Sequence, residues 1–269
     1  MPDLAERFLS LHRPGSPLLM PNPWDRGSAL LLQSLGFEAL ATTSSGFAAT
    51  LGRLDGMVTR EEAIAHAAEL AGAVDVPVSA DLENCFADDP AGVAQTVRLA
   101  VDAGLAGCSV EDFSGREGDT IYDPGPAAER VAAAAEAAHA GPGRLVLTAR
   151  AENHVHGRDD LPDTIARLQS FQEAGADVLF APGVRELDDI RELVSSVDLP
   201  VNVLVLPGMP SVSELAEAGV SRISVGGGFA FAAFGAAAAA GRELLEQGTY
   251  AFWDTAAQGA KAAREAFGG

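Results

Sequence analysis

The sequence predicts an α/β protein, a (β/α)8 TIM barrel with extra N-terminal and C-terminal helices. Three observations carry this. Eight short apolar runs recur along the chain, each bounded by Gly, Pro or a charged residue, the pattern of fully buried parallel strands. Between them lie Ala-, Leu-, Glu- and Arg-rich stretches with helical spacing, several ending in Gly just before the next run, a common helix stop. Eight strand–helix repeats in about 250 residues is the barrel count. An open nucleotide-binding sheet should show G-x-G-x-x-G after its first strand. NPWDRGSA stands there instead.

The elements follow in order. Residues 3–12 read as an N-terminal helix, and PLLMPN (17–22) as the first strand. EALATTS (38–44), PVSADLE (77–83) and AGCSVED (106–112) are strands two to four, with the helical TREEAIAHAAELAGAV between the second and third. RLVLTARAE (144–152) and ADVLFAPG (176–183) flank the helical LPDTIARLQSFQEAG. PVNVLVLP (200–207) and SRISVGG (221–227) complete the eight. FAFAAFGAAAAAG (229–241) is too short for a bilayer, is interrupted by Gly235, and reads as a buried helix. Residues 249–267 form a C-terminal helix. No low-complexity linker divides the chain, so residues 1–269 are expected to be one domain.

Hydrophobic residues make up 48% of the 269 and charged residues 21%, ordinary for a globular protein with a large core. Acids outnumber bases 38 to 18, a net charge of −20. That argues against nucleic-acid partners and against docking on anionic membranes. The N-terminus has no continuous apolar stretch and is not a secretory signal. Cys85 and Cys108 have no metal or redox spacing and suggest a reducing compartment, so a cytoplasmic location is expected. Both read as packing residues. The single lysine, Lys261, lies near the C-terminus on an expected surface helix, which speaks against Schiff-base chemistry.

Catalytic groups of a barrel sit at the C-terminal strand ends and on the loops that follow. Here strand two ends in Thr42-Thr43-Ser44-Ser45-Gly46 and its loop carries Asp55. Strand three ends in Asp81 and Glu83, strand four in Glu111 and Asp112, strand five in Arg150 and Glu152. Residues i and i+2 on a strand share a face, so Asp81 and Glu83 are expected to point together into the mouth, with Glu111 beside them. Three bare carboxylates would repel, and a hard cation resolves that. Arg150 suits a substrate carboxylate through its planar fork. The backbone N–H groups of Ser45 and Gly46 suit a second anionic oxygen.

Blander roles compete at other positions. Asp112 is expected to bond loop backbone. His154 and His156 read as solvated loop residues or as general acids, and His12, His66 and His139 as helix-surface residues. Gly226-Gly227-Gly228 after strand eight is either an anion site or a tight turn.

NPWDRGSALLLQSLGFEALATTSSG, LGRLDG, SADLEN, SVED, TARAEN, APG and PVNVL occur in this order over roughly residues 20–230. Together they resemble the isocitrate lyase/phosphoenolpyruvate mutase superfamily. The resemblance implies a Mg²⁺-dependent barrel (Mn²⁺ also serving) acting on small 2-oxo or 2-hydroxy carboxylates or phosphonates. It implies a homo-oligomer, dimer or tetramer, whose subunits exchange C-terminal helices. Asp81, Glu83 and Glu111 then look like the metal-binding acids, and Asp55 like the acid supporting that site. Ser44, Ser45, Gly46 and Arg150 resemble the residues holding the substrate carboxylate, and Asn202 a substrate-pocket residue.

One departure stands out. The family's lyases carry a Lys-Lys-Cys-Gly-His signature after strand four, and its mutases a lysine. This chain reads EDFSGREGDTIYD (111–123), with neither lysine nor cysteine. Arg116 can replace the lysine's charge but not its shape, and Tyr122 or Asp119 can supply a proton. The leading expectation is a lyase that cleaves a C–C bond, or decarboxylates, through a metal-stabilised pyruvate enolate. A C–P mutase or hydrolase, and a 2-oxo acid binding protein without chemistry, are the alternatives.

Overall fold

The computed structural model describes residues 4–115, 121–140 and 144–268. The chain opens with α1 (Leu4–Ser10), β1 (Leu18–Met20), α2 (Arg26–Ser34) and β2 (Leu40–Ala41). Two helices, α3 (Ser44–Thr50) and α4 (Arg60–Ala71), precede β3 (Val78–Asp81). Then α5 (Pro90–Asp102), β4 (Gly107–Glu111), α6 (Pro124–His139), β5 (Val146–Arg150), α7 (Leu161–Glu173) and β6 (Val178–Phe180) alternate. The series ends with α8 (Leu187–Ser195), β7 (Val201–Leu204), α9 (Val212–Glu217), β8 (Arg222–Ser224), α10 (Gly228–Glu246) and α11 (Trp253–Phe267). Each expected strand is present but shorter at both ends, its flanking residues belonging to the loops.

All pairings are parallel, in the order β1-β8-β7-β6-β5-β4-β3-β2. The two end strands meet through the Ala41 N–H, which donates to the Pro21 carbonyl at 3.1 Å. The sheet is therefore a nearly closed barrel. Alternate strand residues such as Val78, Cys108, Leu147, Leu179, Val201 and Ile223 face outward into the main core, against the apolar stripes of the helices. α1 belongs to a second cluster, with Phe8 packed on Leu18, Ala39, Ala106, Val146 and Val178. Those residues lie at or just before the N-terminal ends of strands, so α1 plugs that end of the barrel. Gly107 lacks a side chain because Phe8 occupies its space: a Cβ there would stand 2.7 Å from the ring.

Side-chain caps begin several of the helices. Thr59 with Glu62 and Ser211 with Glu214 form capping boxes on α4 and α9, and Asp89 caps α5 ahead of Pro90. One expectation fails. The 229–241 helix, α10, is not buried: Ala230 is its only buried residue, and Phe229, Phe231 and Phe234 are exposed. Among the described residues, no second layer covers it. α11 then returns to lie along α2. No described helix is long and apolar enough to cross a membrane.

Candidate active site

A cavity of about 730 Å³ opens where the strands end, within the roughly 300–1,000 Å³ of ligand pockets. Asp55, Asp81, Glu83, Glu111, Arg150, Ser44, Ser45 and Asn202 all line it. Gly46 does not: it lies in the first turn of α3, and its N–H donates to the Thr43 hydroxyl at 3.3 Å as part of the helix cap. The Ser44 N–H is likewise engaged, donating to Asp81 Oδ2 at 3.1 Å.

Arg150 organises the acids. Its Nη1 donates to Asp81 Oδ1 at 2.8 Å, its Nε to Glu152 Oε1 at 2.8 Å, and its Nη2 lies 3.1 Å from Glu111 Oε2. The expected three-carboxylate cage is therefore not closed on itself. Among the described residues, no group of three His, Cys, Asp or Glu side chains is gathered as a metal site. Asp81 and Glu111 turn to the guanidinium, the nearest positive charge, instead. Among the described residues, no cation pairs with Glu83. Burial, then the charges of Asp81 and Asp55, push its carboxyl up to about 7. Burial also raises Glu111 well above the usual range, opposed by Arg150. Asp55, on the exposed rim, is raised by desolvation of its carboxyl, while a Ser44 hydrogen bond opposes.

Strand alternation does not explain Glu83. β3 ends at Asp81, and Glu83, Cys85 and Phe86 have φ of 51°, 58° and 54°, a left-handed run that is costly for side-chain-bearing residues. Arg130 of α6 holds this loop down. Its Nη2 donates to the Asn84 carbonyl at 2.7 Å and its Nη1 to the Asp88 carbonyl at 3.0 Å and to the Ala87 carbonyl. A strained loop presenting a high-pKa acid into a cavity is the arrangement expected of a working site.

The chain matches the phosphoenolpyruvate phosphomutase family over residues 8–245. The chain belongs to that family. A crystal structure described as a lyase/mutase of Burkholderia cenocepacia J2315 is 50% identical, with a TM-score of 0.89 over 92% of this chain and 90% of that one. An uncharacterised protein of Mycobacterium tuberculosis H37Rv is 35% identical over 221 residues, 81% of each chain. The 2-methylisocitrate lyase of Escherichia coli K12 is 28% identical over 211 residues, 72% of this chain and 70% of that one. The family thus includes lyases as well as mutases, all on this barrel, within the isocitrate lyase/phosphoenolpyruvate mutase superfamily.

The other residues singled out in the sequence fall out as follows. Asp112 accepts the Glu152 N–H at 2.8 Å and pairs with Arg167 at 2.9 Å, both side chains buried. It braces the start of the loop after β5 rather than its own. The Tyr122 hydroxyl donates to Asp88 outside the cavity, so it is not aimed at a substrate. Arg116 and Asp119 lie outside the described residues. The His154 side chain is only 8% exposed rather than solvated, with its Nε2 unpartnered among the described residues. His156 lines the cavity, stacked on Phe113 at 3.8 Å between ring centres, with Nε2 4.0 Å from Glu152 Oε2. His12 and His66 are buried against the surface expectation, and His139 pairs with Asp177 at 2.8 Å.

Sequence reasoning missed Asn22, Arg130 and Arg222. Asn22 Oδ1 accepts the N–H groups of Val225 and Gly226 at 3.0 and 2.9 Å. It shapes the glycine turn, where a Cβ on Gly227 would stand 2.7 Å from the Ser45 hydroxyl. For Arg222 a signal existed, a charged residue inside the apolar run SRISV.

Proposed function

We propose that this chain is a Mg²⁺-dependent lyase, with Mn²⁺ also serving, for a small 2-oxo or 2-hydroxy carboxylic acid, cleaving a C–C bond or removing CO₂. The charge imbalance at the cavity mouth carries this reading. Five carboxylates, Asp55, Asp81, Glu83, Glu111 and Glu152, line a cavity region whose ion-paired cation is Arg150. The donors are all hard oxygens. Mg²⁺ commonly takes one or two protein carboxylates and keeps several waters, so the site fits it without a preformed cage. Asp81, Glu83 and Glu111 would hold the ion and Asp55 would support it from the rim. Bound there, the ion supplies Lewis acidity toward the oxygens of a 2-oxo acid.

The chain's own residues do the rest. Arg150 keeps Asp81, Glu111 and Glu152 fixed in orientation and places positive charge beside a developing enolate. Ser44 and Ser45 offer hydroxyls at the wall, and Asn202 also lines it. The described wall contains no lysine, cysteine or tyrosine. His156 is its imidazole, the side chain best suited to give and take a proton, and is the proposed donor.

Residues 1–269 form one functional domain in this reading, and the exposed Phe229, Phe231 and Phe234 of α10 meet a second copy of the chain. A small-acid panel with and without EDTA, read for both pyruvate and phosphate, tests the activity. Pyruvate released only with metal, and lost in Asp81→Ala and Arg150→Ala, is expected. Phosphate release from a phosphonate would favour the C–P reaction, and full turnover in both variants would place the site elsewhere.

A further inference from the structure

The cavity is electrically lopsided. Its mouth carries the five acids, whereas its floor carries Arg222 of β8, only 2% exposed and lining the same cavity. Arg222 has three partners. Nε donates to Asn202 Oδ1 at 3.0 Å, Nη2 to Thr148 Oγ1 at 3.1 Å, and Nη1 lies 3.1 Å from His12 Nε2. Among the described residues, no carboxylate pairs with it.

None of the three partners brings negative charge. His12 is held neutral: burial, then the Arg222 charge, lowers its pKa to about 3. Its Nδ1 faces the Phe8 carbonyl at 2.9 Å, which assigns the proton to Nδ1 and leaves Nε2 as an acceptor. Burial and the nearby Arg150 charge pull Arg222 itself down to about 9, so the buried cation is costly where it stands. A guanidinium has five N–H donors. Two remain after these partners, and the hydroxyls of Ser224, Ser109 and Ser79 line the same cavity.

We propose that Arg222, with Thr148 and the Ser224 hydroxyl, is a second oxyanion subsite at the barrel floor, taking a carboxylate or phosphonate end of the ligand remote from the cation-binding mouth. This rests on the reading of the mouth as a cation site, because a single ligand would then bridge a negative mouth and a positive floor. Arg150 is already paired with three acids, so Arg222 is the cavity's arginine that has no carboxylate partner among the described residues. Its buried position makes the subsite selective by length as well as by charge.

The test separates the two ends of the cavity. Succinate and phosphonoacetate are titrated calorimetrically into the protein in EDTA and chloride-free buffer, which leaves the mouth without a cation. Wild type binds at least one of them, and the better probe tells carboxylate from phosphonate. Arg222→Gln weakens that binding on the order of 10- to 100-fold, the worth of hydrogen bonds to a charged group. Arg222→Lys, which keeps the charge but not the fork, falls between. Equal binding by wild type and Arg222→Gln overturns the proposal. A second arm needs no variant: wild-type crystals soaked in bromide show an anomalous peak within hydrogen-bond distance of the Arg222 guanidinium, and an empty floor overturns it. Mn²⁺ binding, followed by electron paramagnetic resonance, judges the mouth independently. Its loss with floor binding intact would fault the cation reading alone.

Discussion

Replacing Glu83 with Gln removes a charge that the metal-free site holds at a cost. The Glu83 carboxyl titrates at about 7 rather than 4.5, chiefly from burial and then from Asp81 and Asp55. At about 1.4 kcal/mol per pH unit, that distance is worth about 3 kcal/mol when the group is fully ionised. Because the folded-state value is raised, the stabilising proton is fully present below the unfolded value and is lost as pH climbs through about 7. Metal-free wild type therefore weakens between about pH 5 and about pH 8, while Glu83→Gln is nearly flat over that window. At the upper end the variant is the more stable protein by about 2–3 kcal/mol, or about 5–10 °C in Tm for a chain of this size. Saturating Mg²⁺ reverses the order, because the cation stabilises the carboxylate that Gln lacks. Circular-dichroism melts of both proteins at the two pH values, in EDTA and in Mg²⁺, read all four corners. A wild-type Tm in EDTA that does not fall with pH, or a variant no more stable than wild type at the upper pH, would refute the electrostatic account of this site.

Gly107→Ala forces a methyl against the Phe8 ring and the Val146 carbonyl, 2.7 and 3.0 Å away. It should lower the urea midpoint by an amount equivalent to about 1–3 kcal/mol. Arg167→Met strands the buried Asp112 carboxylate and should cost about 3–5 kcal/mol in the same assay, with turnover falling as the loop after β5 loosens. Cys85 is fully buried and its thiol is pushed up to about 12 by burial, so a disulfide reagent at neutral pH should leave it untouched until the protein is unfolded.

The strands were legible because parallel strands buried on both faces are near-continuous apolar runs, and most of the eight read that way. Their ends were not, because the polar residues closing each run already obey loop geometry. Glu83 illustrates this: strand alternation aimed it into the mouth, and a left-handed turn delivers it there instead. The acids were found at the strand ends, but charge repulsion between them did not foretell that Arg150 would pair with Asp81 and Glu111. α10 misled because an all-round apolar helix signals a covered surface without saying which chain covers it. The His12–Arg222 contact joins residues 210 positions apart. No local pattern reports such a pair; only the closure of the barrel over its plug does.

That closure is uneven. Seven joints between neighbouring strands are laddered. The eighth, between β1 and β2, rests on the Ala41–Pro21 backbone bond and on the Asn22 side chain reaching the Thr42 carbonyl at 2.9 Å. Pro21 and Pro23 cannot donate there. A cylinder sealed in this way has a built-in line of fracture. Under strain its wall should part along that line first, spilling the contents of the mouth before the far side of the vessel has begun to unravel.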